Sequence, residues 1–109
     1  MFLYLTTRGW KTGRSHQIEI WFVKLDGHFY LISEKRLRSH WVQNLKRDPS
    51  VSFRVGDKEF RGKARTVEAK GEGSLKRRVE ALFQTKYGWS EGLMVQLTPD
   101  DLGTGSGVQ

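Results

Sequence analysis

The chain has 109 residues, a length that fits one domain with a single core. A composition of 37% hydrophobic and 12% aromatic residues is that of a globular protein, and the lack of cysteine excludes disulfide frameworks and thiolate metal sites. The formal charge of +7 points to an anionic partner, such as nucleic acid, a phosphorylated cofactor or a membrane surface, or else serves solubility alone.

The N-terminus, "MFLYLTTRGW", lacks a basic segment followed by an apolar run and a small-residue cleavage site, and no apolar run approaches the roughly 18 residues a membrane span needs. The expectation is a cytoplasmic protein with no membrane span. "FLYLTT" (2–7) reads as a first strand, and a loop follows in which Gly9 and Gly13 are interleaved with Arg8, Lys11 and Arg14. "HQIEIWFVKL" (16–25) alternates Ile18, Ile20 and Phe22 with Gln17, Glu19 and Trp21, the period of a half-buried strand. Asp26-Gly27 suits a two-residue type I′ turn and "HFYLIS" (28–33) returns, so 16–33 is predicted as one β-hairpin.

The period changes at "SHWVQNLKRDP" (39–49), where Ser39 can cap a short helix that Pro49 stops. Here Trp41 reads chiefly as an anchor in the core. "VSFRV" (51–55) and "KEFRGKARTVE" (58–68) are two more strands, the second with Arg61, Lys63 and Arg65 on one face. Ser74 is a candidate cap for an amphipathic helix over 75–87 that ends at Gly88. "GLMVQLTP" (92–99) is a last strand. The expected organisation is one domain over 1–99 and a flexible tail over 100–109. Six strands joined mainly by turns predict a mainly β (α+β) fold, an antiparallel barrel with two short helices, rather than a parallel sheet.

Familiar catalytic patterns are missing. No Gly-x-Ser-x-Gly elbow or paired carboxylates are visible, and His16, His28 and His40 are spaced twelve apart rather than at ligand spacing. The loop Arg8-Gly9-Trp10-Lys11-Thr12-Gly13-Arg14 can let backbone approach a phosphate, or it can be a solvated basic turn. A second basic segment, Ser33-Glu34-Lys35-Arg36-Leu37-Arg38, is expected at the same end of the barrel, and two convergent basic loops are a sharper signal than one. Trp21 lies opposite the core-facing residues of its strand, so it is a candidate for lining a cleft. A planar cofactor with a phosphate tail needs this combination of a flat apolar wall and a cationic pocket.

"LTTRGWKTGR", "YLISEK" and "HWVQNLKRDPSVSF" together resemble the flavin/deazaflavin oxidoreductase family, over about residues 3–68. The resemblance implies a six-stranded split β-barrel, shared with pyridoxamine-phosphate oxidase, and coenzyme F420 as cofactor, with FMN as the alternative. It places Lys11, Thr12, Gly13 and Arg14 in the phosphate-binding turn. His16 stands where many members have an arginine, and Trp10 replaces the loop's usual arginine. Ser33 and Lys35 match the strand end that meets the cofactor's ring and phosphate side, Asn44 the helix asparagine that helps close the site, and Trp21 an aromatic near the substrate cleft.

The function expected on this basis is hydride transfer from reduced deazaflavin to a small-molecule acceptor of quinone, nitroaromatic or enone type, in a homodimer. The cofactor carrying the chemistry accounts for the missing nucleophile and acid–base pair. The alternatives are a flavoprotein reductase using FMN, or a flavin or haem binder without catalysis. A nucleic-acid-binding barrel using Arg61, Lys63 and Arg65 is disfavoured, because the aromatics sit beside the glycine loop instead of interleaving with that row.

Overall fold

A computed structural model of the chain describes residues 2–9, 12–68 and 70–100. Its seven strands are β1 (Leu3–Arg8), β2 (Ser15–Ile20), β3 (Val23–Leu25), β4 (His28–Ser33), β5 (Ser50–Val55), β6 (Lys58–Thr66) and β7 (Leu93–Pro99). Two α-helices, α1 (His40–Arg47) and α2 (Gly73–Tyr87), and one 3-10 turn, Arg36–Arg38, complete the described elements. All strand pairs are antiparallel, in the order β2-β1-β5-β6-β7-β4-β3. The expected tail beyond Asp100 lies outside the described residues. No helix among the described residues is long and apolar enough to cross a membrane.

There are seven strands, not six, because the run 16–25 is two strands. The first half pairs with β1, Leu3 opposite Ile20, while the second pairs with β4, Val23 opposite Tyr30. The hairpin is therefore confined to β3 and β4, around Asp26 (φ +53) and Gly27 (φ +82), both left-handed as a type I′ turn requires. The two edge strands of the sheet are thus joined by only Trp21 and Phe22. Three Cα–Cα steps reach at most about 11 Å, so the sheet must curl until its edges approach, forming a half-barrel.

At this corner Phe22 has left one ladder without entering the next, and its backbone is satisfied by α2 instead. The Tyr87 hydroxyl accepts from the Phe22 amide at 3.2 Å and donates to its carbonyl at 2.9 Å. The Lys86 ammonium donates to the same carbonyl at 3.1 Å and lies 4.4 Å from the Phe22 ring centroid.

The core has two parts. Leu3, Leu5, Leu31, Phe53 and Leu97 fill the concave side, with Phe29, Phe53 and Phe60 in mutual ring contact. Tyr30, Ile32 and Met94 on the other side are covered by Val79 and Phe83 of α2. This explains why β4 is buried from Phe29 to Ser33 and its neighbour β7 from Met94 to Leu97, whereas β1 alternates.

The caps differ from expectation. Ser39 is the N-cap of α1, but its hydroxyl pairs with Ser33 rather than with the helix backbone. The second helix begins at Gly73, behind Glu72 rather than Ser74. Glu72 holds the Arg65 guanidinium with two hydrogen bonds, at 3.0 and 2.7 Å, and accepts from the Glu68 amide. These bonds lower the Glu72 carboxyl below its ordinary range and raise the guanidinium. Arg65 also reaches Gln96, and Lys63 donates to Ser50, so the cationic row on β6 is partly committed to the protein itself.

Candidate functional site

The break between β2 and β3 opens a cleft of about 910 Å³, bounded by β2, the turn after β4, the start of α1 and the end of α2. This is the size of a pocket for a sizeable organic ligand. Its apolar walls come from Phe2, Ile18, Ile20, Trp21, Trp41 and Trp89, and its cations from Lys35 and Arg38. Trp21 is 40% exposed and is fixed from behind: it stacks on Tyr87 at 4.4 Å and 4°, with Trp89 edge-on at 6.2 Å. Because the Tyr87 hydroxyl is tied to Phe22, the strand corner and the indole wall form one unit.

A second hollow of about 420 Å³ adjoins the cleft and shares Ile18, His40 and Trp41 with it. Its remaining lining is polar or backbone: Gly9, Thr12, His16, Gln17, Gln43 and Asn44. The glycine loop is folded on itself there. The Gly9 amide donates to the Arg14 carbonyl at 2.6 Å, the Gly13 amide to the Gly9 carbonyl at 2.8 Å, and Thr12 Oγ1 accepts from the Arg14 amide at 3.2 Å. A Cβ on Gly9 would stand 2.8 Å from His16 Nε2, so the missing side chain is what lets the imidazole lie over the loop. Asn44, buried on α1, donates to Thr7 Oγ1 at 3.1 Å and ties the helix to the end of β1, two residues before the loop turns.

The predicted site residues sort into these two spaces. Thr12, His16 and Asn44 line the hollow, while Trp21, Ser33 and Lys35 line the cleft. Gly13 (φ +73) and Arg14 shape the loop but stay outside both linings, and Lys11, with Trp10, lies outside the described residues. Ser33 is only 2% exposed. Its single proton goes to the Arg36 carbonyl at 2.9 Å, so in the 2.6 Å pair with Ser39 the Ser39 hydroxyl is the donor. Ser33 therefore closes the turn that presents Lys35 and Arg38, a turn in which Arg36 takes a left-handed φ of +55.

Sequence reasoning missed several lining residues. Trp41 does pack against the core, as its helical spacing suggested, but it also walls both spaces. Trp89 follows the glycine that stops α2, a position with no periodic signal. Among the described residues, no three His, Asp or Glu are grouped to hold a metal.

Flat apolar walls beside a polar hollow built on a glycine loop fit a deazaflavin, a planar ring carrying a phosphate. The family model described as F420H(2)-dependent quinone reductase matches residues 1–90, a span that contains every residue lining the cleft and the hollow. The chain belongs to that family. It is an F420-dependent oxidoreductase, and coenzyme F420 is its cofactor.

Several solved structures are similar to it. An F420-H2 dependent reductase (FDR-A) is 27% identical, with a TM-score of 0.62 over 88% of this chain and 92% of that one. HutZ, the haem storage protein of Vibrio cholerae, is 20% identical with a TM-score of 0.73, over 91% and 81% of the two chains. A FAD-binding protein of Mesorhizobium loti is 13% identical with a TM-score of 0.71, over 91% and 80%. These last two share the fold alone. No curated protein sequence matches the chain.

Proposed function

We propose that the protein passes a hydride from reduced F420 to a flat, conjugated acceptor of the quinone type, bound in the tryptophan-walled cleft of a split barrel. The observation that carries this reading is the shared wall: one apolar cleft and one polar hollow meet at Ile18, His40 and Trp41, as a ring with an anionic tail requires. When bound, the cofactor supplies the hydride, and the chain contributes binding, orientation and a dry site. Thr12 and His16 hold the phosphate from the lining of the hollow, and Lys11, Gly13 and Arg14 of the glycine loop add charge and shape beside it. Asn44 keeps α1 against that loop. Lys35 and the turn that Ser33 closes flank the ring, and Trp21 offers its free face to the acceptor.

Phe2 and Trp21 are exposed apolar groups on this cleft, beside the unpaired edge of β2. They support a homodimer in which a second copy packs on Phe2 and the β2 edge and leaves the free face of Trp21 to the acceptor.

The test is anaerobic oxidation of reduced F420, followed optically with a soluble benzoquinone and a nitroaromatic in parallel. Turnover with the quinone is expected, and Trp21→Ala should raise the acceptor's KM about 10-fold, the loss of roughly 1.4 kcal/mol of ring contact. Turnover of the nitroaromatic alone, or an unchanged acceptor KM in the variant, would remove the quinone reading.

A further inference from the structure

The lining of the polar hollow has an unusual charge inventory. Among the described residues it contains no carboxylate, lysine or arginine, and its only titratable side chains are His16 and His40. The two come from different elements, His16 from β2 and His40 from the first turn of α1. Both are exposed, and among the described residues no hydrogen bond or ion pair occupies either imidazole. Imidazole is the side chain whose charge ordinarily changes close to neutral pH. An anion entering this hollow therefore meets groups whose charge depends on the proton concentration.

We infer that His16 and His40 form a proton-gated anion subsite, which holds the cofactor's phosphate firmly when both imidazoles are protonated and loosens it when they are neutral. This rests on the placement of the phosphate in the hollow under the proposed function. Binding an anion favours the imidazolium and so raises its pKa in the complex relative to the free protein. The added affinity is fully present below the free-protein titration and is lost as pH rises through that of the complex. Each unit of that rise corresponds to a tenfold change in affinity between the two limits.

The other charged side chains on the elements that build the hollow and the adjoining cleft form a nearly constant background. From the end of β1 there is Arg8, 4.0 Å from Asp48, and from the loop that follows Arg14. From β2 there is Glu19, which accepts from the Tyr4 hydroxyl. Glu34, Lys35 and Arg38 come from the turn after β4, and Lys46 and Arg47 from the last turn of α1. Carboxylates, lysines and arginines ordinarily titrate outside pH 5.5–8.5.

The experiment measures the dissociation constant of oxidised F420 across pH 5.5–8.5, for the wild type and the double variant His16→Gln/His40→Gln. Glutamine keeps hydrogen-bonding capacity without titrating. Ionisations of the cofactor itself act on both proteins and cancel in the ratio of the two constants. The wild type should weaken by roughly 10- to 100-fold more than the variant over this range. As a second readout on the unmodified protein, proton NMR should show the titration midpoints of both imidazoles moving upward when F420 is added. Parallel pH curves, or midpoints that do not move, would overturn the gate while leaving cofactor binding intact. Failure of F420 to bind at any pH would instead overturn the functional reading, and the gate with it.

Discussion

Replacing Gly92 with alanine is expected to lower the melting temperature by roughly 10–25 °C. Gly92 takes φ +141, a conformation that side-chain-bearing residues rarely adopt. An added Cβ would run into the Ser33 carbonyl oxygen and come within 2.7 Å of Ile32 Cγ2. Neither can yield cheaply, because Ser33 pairs with Leu93 in the β4–β7 ladder and both Ser33 and Ile32 are buried. Backbone strain of about 1–3 kcal/mol and overpacking of similar size add to about 2–6 kcal/mol. The displaced strand end is the one that closes the cleft's cationic turn, so F420 affinity should fall along with stability. Gly71→Ala is the control: its φ is +81, but a Cβ there has nothing within 4 Å, and only about 1 kcal/mol of backbone strain is expected. Thermal unfolding by circular dichroism separates the two. Equal melting temperatures would show that the close approach at Gly92 carries no cost.

Tyr87→Phe is the second large effect, and it tests how the sheet breaks. The hydroxyl is the acceptor for the Phe22 amide, in a residue only 6% exposed. Its loss leaves that amide without a partner, at a cost of about 1–3 kcal/mol. Lys86 still serves the carbonyl, so Lys86→Met, which leaves the Tyr87 hydroxyl bonded to both backbone groups, should cost less. Urea unfolding of the two variants gives the order directly. If Tyr87→Phe is as stable as the wild type, or Lys86→Met the weaker of the two, the hydroxyl does not substitute for the missing ladder partner. The phenyl ring of the variant can still stack on Trp21, so a loss of stability would reflect the corner rather than the indole wall.

Local chemistry was legible where local forces decide. The Asp26-Gly27 turn, the stop of α1 before Pro49 and the left-handed Gly88 after α2 follow from backbone conformations that those residue types favour. What could not be read was the corner at Trp21–Phe22. The apolar alternation runs unbroken through Ile18, Ile20 and Phe22 because every part of that run faces an interior, whichever strand it pairs with. Alternation reports which side is buried and carries no information on the partner strand. The same limit applies to the site. The glycine loop announces itself by composition, whereas the hollow exists only because Asn44 brings α1 to Thr7 across 37 positions of sequence. Ser39 does stand at the N-cap, where serine is favoured, yet its hydroxyl is turned to Ser33 and accepts from no helix amide.

The proposed placement of F420 puts its ring in the cleft and its phosphate at the glycine loop. Titration of the apoprotein with oxidised F420, read by quenching of tryptophan emission, tests it most directly, since Trp21, Trp41 and Trp89 all wall the cleft. Saturable quenching by the wild type is expected, together with at least a 10-fold weaker dissociation constant for Lys11→Ala, about 1.4 kcal/mol for one charge-assisted contact. Equal affinity in the two proteins, or binding without quenching, would contradict it.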